Sequence, residues 1–166
     1  MYILDTNIFI NFYDRYYRFA YFPSFWENLI PILNSRVIIP KVVINETTHS
    51  TEFVAWINSH FSNKILNHTQ YTSQYTTVLQ HVLSCGFYKP EALNSEKGWA
   101  NEKIADAWLI AIAMKENYTI VTEENRVINL NKINPSKAAK IPDVSDQLGI
   151  RCINMNQFFE EIQFKL

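Results

Sequence analysis

Four acidic residues, Asp5, Glu46, Asp106 and Glu124, stand where chain order would let them act together, with Glu123 as the alternative to the last. Asp5 follows the apolar run Met1–Leu4, which places it at the carboxyl end of a central strand. Glu46 lies six residues past Pro40, on the helix that leaves a second strand and can point back over the same edge. Asp106 sits near the start of a helix so apolar that a charge there must face solvent, a partner or a metal, and Glu102 lies one turn earlier. Thr122, Glu123 and Glu124 close the strand Tyr118–Val121 at that edge. Taken singly, each acid has a plain use as a helix cap, a dipole partner, a solvated face or a polar loop. Taken together, clustered carboxylates repel and raise one another's pKa unless a cation neutralises them. Mg2+ or Mn2+ suits such a cluster, being a hard ion that prefers oxygen ligands. The chemistry expected of the site is phosphodiester hydrolysis by an activated water.

The rest of the composition offers no rival. Only three glycines are present, with no phosphate-cradling loop or dinucleotide fingerprint. His49, His60, His68 and His81 form no H-E-x-x-H pattern and read as surface or internally satisfied residues. Cys85 and Cys152 have no C-x-x-C partner, which fits core residues of a reduced, cytoplasmic protein. A net charge of -1 argues against a general positive field, so a nucleic-acid partner would have to be held locally. No run approaches the ~20 apolar residues needed to cross a bilayer, and the apolar start is too short for a signal peptide.

The elements that must position the acids follow from periodicity. Strands are expected at Met1–Leu4, Val37–Ile39, Tyr118–Val121 and Arg151–Ile153, and helices around Ile8–Tyr13 and Ser24–Asn34, the latter with a bend at Pro31. Further helices, or one broken helix, are expected over Lys41–His49 and Thr51–His60, then at Thr69–Ser84, Ile104–Ala113, Pro142–Leu148 and Asn156–Phe164. Asp5 or Asn7 is expected to cap the first helix. Lys89–Trp99 and the polar stretch up to Lys140 read as loops. Short apolar strands alternating with helices indicate an α/β fold, a layered sandwich with a mainly parallel sheet. In such sheets function collects at the carboxyl ends of the strands. By length the chain is one domain, residues 1–166, with a helical insert at about 50–100.

Four segments carry a family resemblance. M-Y-I-L-D-T-N-I-F-I at the start, I-P-K-V-V-I-N-E ending at residue 46, A-D-A-W-L-I-A-I-A around residue 106 and I-V-T-E-E at 120–124 resemble, in order, the four motifs of PIN-domain nucleases. The likeness spans roughly the first three quarters of the chain. It implies a three-layer sandwich with a five-stranded parallel sheet, a Mg2+ or Mn2+ site and cleavage of single-stranded RNA. In bacterial members it implies a toxin held by an antitoxin protein. The motifs carry the four acids to Asp5, Glu46, Asp106 and Glu124, and the site-orienting polar residues to Thr6, Asn7 and Thr122. Two features depart from the pattern. A glutamate stands where the fourth acid is usually aspartate, and the insert between Glu46 and Asp106 is longer than in compact toxins, as in a less characterised PIN-like branch.

For holding RNA, the segment Asn125–Pro142 carries Arg126, Lys132, Lys137 and Lys140 and no acid. A basic strip beside a metal site suits backbone phosphates, and an ordinary solvated loop accounts for it equally well. The aromatic segment Phe12–Trp26 reads as core plus a homodimer or antitoxin contact rather than a base-stacking platform. Two other readings compete: a catalytically silent module that binds RNA or a partner, and a phosphatase of the haloacid-dehalogenase type. The latter needs a second acid two positions after the first, where this chain has Asn7.

Overall fold

The computed structural model describes residues 1–166. Strands β1 (Tyr2–Leu4), β2 (Val37–Pro40), β3 (Ile65–Leu66), β4 (Thr119–Val121) and β5 (Cys152–Ile153) form one sheet in the order β3-β2-β1-β4-β5, every pair parallel. In the register, Ile3 of β1 lies beside Ile38 of β2 and Ile120 of β4. Helices flank the sheet as in a three-layer α/β sandwich, which is why the strands read as nearly continuous apolar runs: each is covered on both sides. Parallel neighbours need a crossover, and helices supply each one.

The chain steps outward from β1 through β2 to β3, then returns to lay β4 on the other side of β1. The carboxyl ends of β1 and β4 therefore flank the point where the winding reverses, the place where open parallel sheets bind ligands. Asp5 leaves β1 at that point and Thr122 leaves β4. The two ends are tied directly, the amide of Asp5 donating to the carbonyl of Val121 at 2.9 Å.

Helix α1 (Thr6–Ile10) runs on into a wider π-helical stretch, Asn11–Tyr16, and α2 (Pro23–Arg36) passes through Pro31 as one continuous helix. The expected pair after β2 resolves into α3 (Lys41–Glu46) and α4 (Thr51–Phe61), the second capped by Ser50, whose hydroxyl accepts from the amide of Phe53. Helix α5 (Thr72–Ser84) packs on α7 (Asp106–Glu116). Residues Ala107–Ala113 of α7 are all buried, so this helix has no polar face in its middle turns. Helix α8 (Ile141–Leu148) ends at Gly149, whose φ of 70° suits a residue without a Cβ. The last helix, α9 (Met155–Ile162), begins with a capping box between Asn154 and Gln157.

Two elements depart from the sequence expectation. Strand β3 lies inside the stretch expected to be a helical insert; two apolar residues are too few to show a period, and pairing with β2 makes the strand. The segment expected to be a loop from Lys89 contains a one-turn helix, α6 (Glu91–Asn94), started by Pro90. Forty-one buried hydrophobic residues join in one cluster that reaches every layer. Both cysteines are free, and no helix is long and apolar enough to cross a membrane.

Candidate active site

Asp5 is buried, 4% exposed, and occupies the N-cap position of α1 without capping it. Its carboxylate is taken by tertiary partners instead. Thr122 donates its hydroxyl to Asp5 Oδ2 at 2.6 Å, and Asn7 Nδ2 donates to the same oxygen at 2.6 Å. Asn7 also reaches Thr122 Oγ1 at 3.1 Å and, through its own Oδ1, accepts the amide of Glu123 at 3.2 Å. Asn7 and Thr122 thus lock the turn after β4 to the turn after β1. The three residues expected to orient the site divide the work, because Thr6 donates to a different acid, Glu46 Oε2.

Glu46, at the end of α3, is held from two sides. Besides the Thr6 hydroxyl, it accepts the amide of Ala105 at 2.9 Å, and that amide belongs to the residue that opens α7. Asp106 follows at the first position of α7. Glu102 precedes the helix in a turn, so the expected shared helical face with Asp106 does not exist. Asp106 Oδ2 accepts the indole N–H of Trp99 at 3.0 Å. Trp99 reaches it because of Gly98, where an added Cβ would stand 2.3 Å from the carbonyl oxygen of Leu93. Only glycine allows the chain to press that closely on the end of α6.

The two neighbouring glutamates after β4 point to different places. Glu123 accepts the amide of Met155 at 2.7 Å, at the start of α9, and faces away from the other acids. Glu124 faces Asp106 across a cleft of about 430 Å³ that Glu46, Trp99 and Lys140 also line. Its carboxylate accepts the amide of Ile141 at 2.9 Å and the ammonium of Lys140 at 2.7 Å. Of the two residues, Glu124 is the one that joins the cluster.

The acids act on one another electrically. Burial is the main reason that Asp5 is pushed up to about 7, with the charges of Glu124 and Glu46 adding to it and the Thr122 hydrogen bond opposing it. Asp106 is raised well above the usual carboxylate range, first by burial and then by the charges of Asp5, Glu124 and Glu46. Glu46 is raised by burial, against the bonds from Thr6 and Ala105. The cation in contact is Lys140, whose ammonium is held charged by Glu124 and by the more distant Asp106 and Asp5. Of the three lysines that line the cleft, Lys97, Lys137 and Lys140, only Lys140 touches a carboxylate, and Asp5 and Asp106 stay raised despite them, a condition that a hard divalent cation would relieve.

No group of three or more Asp, Glu, His or Cys side chains closes into a ligand cage. The reason is visible in the bonds above: each acid is turned to its own internal donor. A cage is not what Mg2+ requires, since it commonly takes one or two carboxylates and keeps several waters. Asp5 and Asp106 are the residues that would hold the ion, with Glu46 and Glu124 beside them, and when bound it would supply an acidified water and positive charge beside a phosphate.

The expected basic strip is dispersed. Arg126 is paired with Asp146, its Nε 2.7 Å from the carboxylate, at an exposed position. Lys132 lies over the ring of Phe87 at 5.3 Å. Lys140 is engaged by Glu124, and Lys137 lines the acidic cleft. The strip therefore does not present four free cations, because most of its charges have found partners within the fold. The aromatic segment Phe12–Trp26 is largely core, with Phe12 and Phe25 fully buried and Tyr17 stacked on Phe25 at 3.9 Å, while Tyr16, Tyr21 and Phe22 remain exposed. Trp99 is the positioning residue that sequence reading missed; its signal was a glycine-tryptophan pair within a polar stretch just ahead of the acid.

Fold and site together define an α/β domain with a carboxylate cluster at the reversal point of a parallel sheet. The chain belongs to the family described as a domain of unknown function, DUF4411, which it matches over residues 2–166. No curated protein and no solved structure matches it.

Proposed function

We propose that this protein is a metal-dependent endoribonuclease that hydrolyses phosphodiester bonds of single-stranded RNA, with Mg2+ or Mn2+ as its cofactor. The observation that carries the reading is the gathering of Asp5, Glu46, Asp106 and Glu124 where the strand order reverses, close enough that the charges of Glu46 and Glu124 raise both Asp5 and Asp106. The resemblance of the four acid-bearing segments to PIN-domain motifs supports it and supplies RNA as the substrate class. In this reading Asp5 and Asp106 bind the ion, Glu46 and Glu124 share its charge, and Thr122, Asn7 and Trp99 fix the carboxylates in place. Lys140 is placed to meet a substrate phosphate once Glu124 turns to the cation, since both line the same cleft.

The test is cleavage of a single-stranded RNA by the purified protein with Mn2+ or Mg2+, with and without EDTA, beside Asp106→Asn. Removing one carboxylate charge while keeping its shape should lower the rate by about 100- to 1,000-fold. Metal-dependent cleavage that the variant loses supports the reading. An inert wild-type protein that also fails to bind the ion, or cleavage that survives both EDTA and the substitution, rejects it.

A further inference from the structure

A second cleft, of about 530 Å³, lies on the other side of the wall that carries Glu46 and Asp106. Both cavities use the same two pieces of chain. On α3, Val42 and Asn45 line this cleft and Glu46 lines the acidic one; on the segment before α7, Glu102 and Lys103 line this one and Ile104 lines the other. The two clefts are therefore neighbours through adjacent residues.

The material of this cleft differs from that of a charged site. Its floor is aromatic: Tyr75 and Trp108 are stacked at 3.9 Å, and the ring of His68 stands edge-on to Trp108 at 4.8 Å. Its rim is polar, with the exposed side chains of Asn45 and Glu102 on one side. His68 Nδ1 is buried and has no hydrogen-bond partner, one of two such side-chain atoms in the molecule. An unpaired buried ring nitrogen is costly unless something else satisfies it. Desolvation, followed by the charge of Lys41, lowers the pKa of this imidazole, so near neutral pH one of its nitrogens accepts and the other donates.

We propose that this cleft is a nucleobase subsite, taking an unstacked base of the RNA next to the nucleotide whose phosphate enters the acidic cleft. The cavity lies in the range of about 300–1,000 Å³ usual for small-molecule sites. Single-stranded RNA is read by aromatic contact with the base and hydrogen bonds to its edge. Here the aromatic floor meets the base, and Asn45 and Glu102, exposed at the rim, meet its edge. Glu102 only accepts when ionised, so it favours bases with an exocyclic amino group, adenine, cytosine and guanine, over uracil. The inference rests on the ribonuclease reading for its physiological ligand, yet it can be tested without cleavage.

The indole N–H groups report the two clefts separately. Trp108 donates to the backbone carbonyl of Glu102 at 3.0 Å, beside the proposed subsite, and Trp99 donates to Asp106 in the acidic cleft. The experiment titrates the four ribonucleoside monophosphates, and ribose 5-phosphate as the baseless probe, into the full chain in EDTA while following both indole signals by proton–nitrogen NMR. Saturable movement of the Trp108 signal by AMP, CMP or GMP, weaker with UMP and missing with ribose 5-phosphate, is the expected result. Asn45→Ala and Glu102→Ala, both at exposed positions, should each weaken that binding about tenfold. A Trp108 signal that no nucleotide moves, that ribose 5-phosphate moves equally, or that responds identically in both variants overturns the subsite. Because no divalent ion is present, a failed cleavage assay leaves this result standing, and a failed titration leaves metal-dependent cleavage standing.

Discussion

The two clefts that share the wall of α3 and the segment before α7 are made of opposite materials. In and beside the acidic cleft every clustered carboxylate already has a partner: Asp5 has Thr122 and Asn7, Glu46 has Thr6 and the amide of Ala105, Asp106 has Trp99, and Glu124 has Lys140. What distinguishes it is buried carboxylate, raised at Asp5 and Asp106 by burial and by the neighbouring acids. In the second cleft, charge is confined to the rim and what is unbalanced is hydrogen bonding, at His68 Nδ1. The difference indicates what each can accept. Buried carboxylates that raise one another suit a cation, whereas an aromatic floor under a polar rim suits a planar, polar molecule.

The sharpest way to separate the clefts is Trp99→Phe. It removes the indole donor from Asp106 and keeps an aromatic ring in the core. Affinity for Mn2+, measured by calorimetry, should fall by about tenfold, as for loss of a ligand-orienting partner. The Trp108 signal should still respond to nucleotides. A Trp99→Phe protein with undiminished affinity would separate Asp106 from the cation site.

Lys140→Met should act in the opposite direction and by less. The ammonium of Lys140 occupies the position beside Glu124 that a cation would otherwise neutralise, so its removal should raise Mn2+ affinity several-fold, consistent with one nearby charge of partial exposure. If substrate phosphate meets this lysine, cleavage at saturating metal should fall in the same variant. Unchanged affinity would break the claim that the lysine and the metal compete.

A pH series comes next, and its sign follows from the raised acids. The carboxyl of Asp5 moves from its ordinary 3.8 up to about 7 in the fold. Between those values the folded chain holds a proton that the unfolded chain has released, so stability falls as pH rises through that window. Asp106 and Glu46, raised as well, push the same way. In EDTA the melting temperature should carry a decreasing contribution from these acids between about pH 4 and pH 7. Added Mn2+ requires the ionised form, so its stabilising shift should be larger at about pH 8 than at about pH 5. A metal-induced shift independent of pH would contradict burial and repulsion as the features that prepare the site.

The smallest effect is expected at Arg126→Ala. Its partner Asp146 and the arginine itself are both more than half exposed, and such pairs contribute about 0–1 kcal/mol. Neither stability nor metal affinity should change measurably. A large loss of RNA affinity in this variant would restore the basic strip as a phosphate track despite its internal pairing.

Much of this was legible in the chain and some was not, for physical reasons. The strands at Tyr2, Val37, Thr119 and Cys152 announce themselves as short apolar runs because both faces of a parallel sheet are buried. Strand β3 does not, since two residues have no period and gain their form from β2. Asp5, Glu46, Asp106 and Glu124 stand out because each follows a strand or lies at a helix end, positions set by local order. The choice between Glu123 and Glu124 lay beyond the sequence, as it depends on two distant amides, those of Met155 and Ile141. The roles of Trp99 and Lys140 were hidden similarly. One depends on the close approach at Gly98, and the other on a long connection that folds back over the acids. His68 was read as satisfied or exposed, and the structure leaves its Nδ1 buried and unpaired instead.

The most direct test of the central claim is a calorimetric titration of Mn2+ into the full chain and into Asp5→Asn, in buffers of differing ionisation heat at neutral pH. The account predicts saturable binding by the wild-type chain with release of protons, because Asp5, pushed up to about 7, is partly protonated before the ion arrives, and loss of that binding in the variant. No saturable binding by the wild-type chain, or equal binding by both proteins with no proton released, would contradict it.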